Sequence, residues 1–179
     1  MLLPLRPHPS TPAPQSLTIA ASATRTRTGL EVFFQLAGPL HALRLPWGTQ
    51  SERADGLWRT TCFEAFLKDP HAARYLELNL APTGAWAAYR FDSLRHGMHN
   101  AAIDRAQFAF EHAEKQASLK ASFTGPDLPS HTAHPLGLTA VIETDAGNLS
   151  YWALAHPNEK PDFHDPAGMT AWLALTEHP

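Results

Sequence analysis

Short strand-like runs recur between turn signals along the chain, and no long segment sustains the 3.6-residue apolar period of a helix. The runs are LTIAASA, LEVFFQLAG, HALRL, WRTTCFEAFL, YLELNL, WAAYRF, AQFAFEH, ASLKASF, LGLTAVIE, LSYWALAH and AWLAL. Turn chemistry separates them in the loop PWGTQSERADG and the turns APTGA, EHAEKQ and DAGN. Many short strands so spaced predict an all-β chain, an antiparallel sandwich or barrel around one core. The stretch 101–121 contains Ala, Glu and Lys that favour helix, but FAF and SLKASF carry strand patterns and are assigned to a hairpin turning at EHAEKQ. At 179 residues the chain suits one domain with a substantial core. Residues 1–15 hold five prolines and are expected to form a disordered arm, leaving residues 16–179 as the folded domain.

The charge balance is 14 basic against 17 acidic residues, with no basic block of the kind that tracks a phosphate backbone, so nucleic acid is not an expected partner. A lone cysteine, Cys62, excludes an intramolecular disulfide and suits a reducing compartment. The proline-broken N-terminus does not read as a signal peptide, and no apolar run approaches the ~18 residues of a membrane span. The expectation is a soluble, cytoplasmic protein without a membrane partner, with strand edges that leave a homodimer open.

Strand side chains alternate at period 2, which sorts three consecutive segments into faces. In WRTTCFEAFL, Trp58, Cys62, Glu64 and Phe66 share one face, opposite Phe63, Ala65 and Leu67. In YLELNL, Tyr75, Glu77 and Asn79 stand opposite three leucines, and in WAAYRF, Trp86 and Arg90 stand opposite Tyr89 and Phe91. If these segments pair as neighbours, Glu64, Glu77, Asn79 and Arg90 converge beside Trp86. Carboxylates, an amide and a guanidinium supply the directional donors and acceptors that sugar hydroxyls need, and an indole offers a flat surface for the CH face of a pyranose. The structural alternatives are a Glu64–Arg90 pair within the sheet, a solvated outer face for Glu77 and Asn79, and core packing for the tryptophans.

A second group is HPNEKPDFH, where His156 shares the parity of Trp152 and is followed by Asp162 and His164. His156, Asp162 and His164 are acceptable divalent-metal ligand types, although their spacing is not a compact zinc pattern. The alternative is a constrained loop in which Asp162 bonds backbone groups and Phe163 plugs the core. A histidine of this loop with Met98, from the polar loop that also holds Arg95, His96 and His99, would be an axial pair for haem; no CxxCH is present for covalent attachment. Glu64 and Glu77 could also form a glycosidase-like carboxylate pair, but there is no GxSxG and Cys62 reads as packing, so catalysis is not expected.

The runs WRTTCFEAFL, YLELNLAPTGAWAAYRFDS, LSYWALAHP and PDFH together resemble the bacterial DOMON-like proteins, relatives of the family 9 carbohydrate-binding modules. The resemblance spans most of residues 30–175. It implies a jelly-roll β-sandwich that binds a ligand without catalysis, a saccharide or sugar-containing metabolite in one branch and haem in another. On the family 9 sugar-site pattern, Glu64 takes the carboxylate position and Asn79 the amide position, Trp152 is matched to a stacking aromatic, and Glu77 stands where the pattern has an arginine. Arg90 is the expected compensating cation. The ligand face so implied comprises Trp58, Glu64, Glu77, Asn79, Trp86, Arg90, Trp152 and His156.

Overall fold

A computed structural model describes residues 1–46, 48, 51–129 and 133–174. Among them lie the strands β1 Leu3–Pro7, β2 Thr18–Arg25, β3 Leu30–Ala37, β4 Glu52–Arg53, β5 Cys62–Lys68, β6 Tyr75–Leu80, β7 Ala85–Phe91, β8 His99–Asn100, β9 Arg105–His112, β10 Gln116–Thr124, β11 His134–Glu143, β12 Leu149–Ala153 and β13 Ala171–Leu173. They form the expected β-sandwich. One sheet runs β1-β2-β3-β10-β9, and the other runs β12-β11-β5-β6-β7, with β4 and β8 on β7 and β13 beside β12 along β11.

The core follows from parity. Leu30, Val32, Phe34 and Leu36 of β3 alternate inward, as do Ala117, Leu119, Ala121 and Phe123 of β10. They meet Phe63, Ala65 and Leu67 of β5 and Leu76, Leu78 and Leu80 of β6 from the facing sheet. Phe34 and Phe63 close the gap between sheets with ring centroids 5.1 Å apart. The 101–121 hairpin is present as β9 and β10, turning at 113–115.

Two expectations about the ends of strands are overturned. The arm is not disordered: Leu3–Leu5 pair with β2, while Arg6 and Pro7 pair with β12, so β1 belongs to both sheets. Its prolines are tolerated because the edge register leaves their missing N–H groups outside the ladder, while Leu5 is buried in the core. HALRL is not a strand either; Leu40–Ala42 form a 3₁₀ turn, and Leu43 alone bridges to Thr144.

The second sheet differs from a half-exposed one. Every residue from Cys62 to Leu67 and from Tyr75 to Leu80 is buried, whichever way it points. Antiparallel strands that face water on one side alternate buried and exposed positions, so a second layer must cover the outer face. That layer consists of a 3₁₀ turn at Leu57–Arg59, the 92–98 loop and the 155–169 loop, and Phe66, Tyr75, Ala87, Tyr89, Phe91 and Met169 form a small second core beneath it.

Candidate functional site

The covering loops leave a cavity of about 370 Å³ on the outer face of the second sheet, near the lower end of the range for small-molecule sites. Its floor is polar. Glu64 from β5, Glu77 from β6 and Thr139 from β11 lie on this face, with Glu64 directly opposite both Asn79 and Thr139 in the ladders. Glu64, Glu77 and Asn79 are only 2%, 4% and 0% exposed. The Thr139 hydroxyl donates to Glu64 Oε2 at 3.1 Å, and Asn79 Nδ2 donates to Glu77 Oε1 at 2.8 Å. Asn79 Oδ1 is buried and has no hydrogen-bond partner among the described residues.

Burying two carboxylates side by side has a direct electrostatic consequence. Desolvation lifts Glu64 well above the usual carboxylate range, and the neighbouring charge of Glu77 lifts it further, against the Thr139 and Cys62 donors that lower it. Glu77 is also raised by burial, with the Asn79 amide and the Arg95 guanidinium opposing the shift. The pair therefore resists carrying two charges at once.

The walls are aromatic: Trp58, Tyr89, Phe91, Tyr151 and Phe163. Tyr89 donates its hydroxyl hydrogen to Asp55 Oδ1 and sits edge-on to Trp58, with centroids 6.2 Å apart. Trp58 is 39% exposed and enters from the 3₁₀ turn rather than from the strand, because Gly56 takes a left-handed conformation and regular pairing starts at Cys62. At the mouth stands Arg95, whose left-handed backbone (φ 58°) is uncommon for a side chain with a Cβ. Arg95 Nη2 donates to Asp162 Oδ1 at 2.7 Å, and its backbone N–H donates to the Tyr75 hydroxyl. That hydroxyl lies 2.7 Å from His164 Nδ1, and His164 Nε2 is 3.9 Å from Glu77 Oε2. Burial first and the Arg95 charge second push His164 down to about 4, so the ring is neutral near pH 7.

Four of the eight expected ligand-face residues line this cavity or its floor: Trp58, Glu64, Glu77 and Asn79. Trp86 and Arg90 do not join them. Pro82, Thr83 and Gly84 separate the hairpin's closing pair Ala81 and Ala85, and this odd loop length places odd residues of β6 opposite odd residues of β7. Glu77 therefore pairs with Tyr89, and Asn79 with Ala87, while Trp86 and Arg90 lie on the leucine face. Trp86 packs edge-on to Phe123 across the sandwich. Arg90 ion-pairs with Asp127 at 2.7 Å in a separate cavity of about 380 Å³, where Asp69 is likewise paired with Arg74. Trp152 also points inward; it pairs with the inward Ala140, is buried in the main core and donates its indole N–H to Ser150. His156 lies outside the cavity, bonded to the Arg6 carbonyl and ring-to-edge with His8.

The metal grouping does not form. His156 is elsewhere, Asp162 is held by Arg95 and accepts the His164 backbone N–H, and no group of three potential ligands converges among the described residues. Tyr89, Phe91 and Tyr151 are the site residues that sequence parity missed. The signal for the first two was the three-residue count of the turn, and for Tyr151 its alternation with an inward Trp152.

No family model matches the chain, and no curated protein matches its sequence. Solved structures do. A candidate carbohydrate-binding protein from Bacteroides uniformis superposes over 98% of this chain and 86% of its own, with a TM-score of 0.67 and 12% identity. A family 9 carbohydrate-binding module from Caldicellulosiruptor kristjanssonii superposes in its glucose complex over 99% of this chain and 86% of its own, with a TM-score of 0.57 and 12% identity. Its cellotriose complex gives 0.59 at 11% identity, over 99% of this chain and 84% of that one. The fold is that of the family 9 modules. The family 9 fold thus extends over the described chain, including β1, which the resemblance of residues 30–175 had left out.

Proposed function

We propose that the chain is a non-catalytic binding domain that takes a saccharide or sugar-containing metabolite into the cavity over the outer face of the second sheet. One observation carries the reading: a buried carboxyl and carboxamide floor, with the Asn79 oxygen unsatisfied among the described residues, lies beneath aromatic walls in a cavity of monosaccharide to disaccharide size. Polar groups at fixed angles below and flat apolar rings at the side are what a pyranose needs. The glucose and cellotriose complexes of the structural neighbour support the ligand class. Arg95, rather than Arg90, supplies the guanidinium near Glu77.

Haem fits this cavity poorly. Met98 and His164 both line it, but His164 has one ring nitrogen at the Tyr75 hydroxyl and the other facing Glu77, so ligating iron would break the contact that ties the 155–169 loop to β6. A Soret band on adding haemin would overturn that judgement. Calorimetric titration with glucose, cellobiose and sugar nucleotides tests the main reading. Binding that weakens in Trp58→Ala is expected, whereas release of nitrophenol from aryl glycosides would replace it with an enzymatic one.

A further inference from the structure

The cavity floor is unbalanced in hydrogen-bonding sense. Glu64, Glu77 and the Asn79 Oδ1 atom offer more acceptor sites than the facing donors fill: Thr139 and Cys62 serve Glu64, Asn79 Nδ2 serves Glu77, His164 Nε2 stands 3.9 Å from Glu77 Oε2, and Asn79 Oδ1 has no partner among the described residues. The charges are unbalanced as well. Arg95, the cation at the mouth, is tied to Asp162, and His164 is neutral, so two carboxyl groups that resist ionising together face a space enclosed by Trp58, Tyr89, Tyr151 and Phe163. Aromatic faces attract cations, and a buried carboxylate is stabilised by one more than by any neutral donor.

We infer that the ligand carries a protonated primary amine on its sugar ring, an amino sugar whose ammonium sits between Glu64 and Glu77 and donates toward Asn79 Oδ1. The inference rests on the reading of the cavity as a saccharide site. An ammonium brings three donors and no acceptor, which suits a floor whose acceptors outnumber its donors. It would also take the place of the proton that the crowded carboxyls retain, so binding at neutral pH should release protons to solvent.

The test is isothermal titration calorimetry of the full chain at neutral pH with D-glucosamine, D-glucose and N-acetyl-D-glucosamine, each in two buffers of different ionisation enthalpy. Glucosamine is expected to bind about tenfold tighter than either neutral sugar, with a buffer-dependent heat that reports proton release. In Glu77→Gln the ratio of glucosamine to glucose affinity should fall towards one. Glucose or N-acetylglucosamine binding as tightly as glucosamine in the wild-type protein would overturn the amine inference and leave the saccharide reading standing. Failure of all three to bind would overturn the amine inference, and failure of cellobiose and the sugar nucleotides as well would overturn the saccharide reading with it. The wild-type comparison decides the matter even if the variant does not fold.

Discussion

Replacing Glu64 by Gln should make the protein more stable, and increasingly so as the pH rises. The carboxyl is 2% exposed, faces Asn79 across the ladder and shares the cavity floor with Glu77. Its folded pKa lies above the unfolded value, so between the two the folded chain holds more protons than the unfolded one, and stability falls as pH rises through that interval. Each unit of elevation corresponds to about 1.4 kcal/mol. Raised to about 8 by burial and by the neighbouring Glu77, the carboxyl removes on the order of a few kcal/mol by the time it is ionised. Glutamine avoids that cost, keeps the shape, and brings amide hydrogens to the side of the ladder where Asn79 Oδ1 has no partner among the described residues. For a chain of this size the gain amounts to roughly 5–10 °C in Tm at mildly alkaline pH, shrinking towards zero near about pH 4. Thermal unfolding followed by circular dichroism in steps from about pH 4 to 9 measures it for both proteins. His164 contributes in the opposite direction: its depressed pKa makes acid destabilising below the ordinary histidine value, and this limb is common to both proteins and cancels in the difference. Parallel curves for wild type and Glu64→Gln would show that the carboxyl is not penalised in the fold, and would refute the electrostatic account of the site.

Other substitutions probe separate parts of the structure. Trp58→Ala should weaken saccharide binding roughly tenfold or more, with less than about 1 kcal/mol change in stability, since the ring is partly exposed; calorimetry and thermal unfolding together check it. Leu78→Ala removes a fully buried side chain between the sheets and should cost about 2–5 kcal/mol in a urea titration. Leu5→Ala should cost about 2–4 kcal/mol in the same titration if β1 is a core strand, and almost nothing if the segment were a loose arm. Tyr75→Phe removes the hydroxyl shared by His164 and the Arg95 backbone, and should speed proteolysis within the 92–98 and 155–169 loops while costing about 1 kcal/mol globally.

Period-2 alternation made most of the sandwich legible, because inward leucines and phenylalanines at strand spacing admit few other arrangements. Glu64, Glu77 and Asn79 could be placed on one face for the same reason. Parity within a strand does not say which face of the next strand it joins. That depends on loop length, and the three-residue Pro82–Gly84 turn sends Tyr89 and Phe91, rather than Trp86 and Arg90, to the carboxylates. The covering layer was illegible for a different reason. Arg95 and Phe163 reach the cavity from irregular segments whose positions are set by single contacts, Arg95 with Asp162 and Tyr75 with His164, and no local periodicity records such contacts. The proline-rich start misled because its composition speaks of backbone stiffness, whereas its fate was decided by Leu5 finding the core.

The dual membership of β1 sets the order in which this protein can be finished during synthesis. Its first half can dock on β2 within a few dozen residues of leaving the ribosome, but its second half awaits β12 at Leu149–Ala153, near the far end of the chain. The β11 strand that carries Thr139 to the cavity floor also arrives late. A nascent chain therefore holds β5, β6 and β7 with an open flank, and with Glu64 lacking its Thr139 donor, until β11 emerges. Such a long-range closure favours slow, all-at-once completion, and makes a stalled or C-terminally truncated chain the form most exposed to edge-to-edge aggregation.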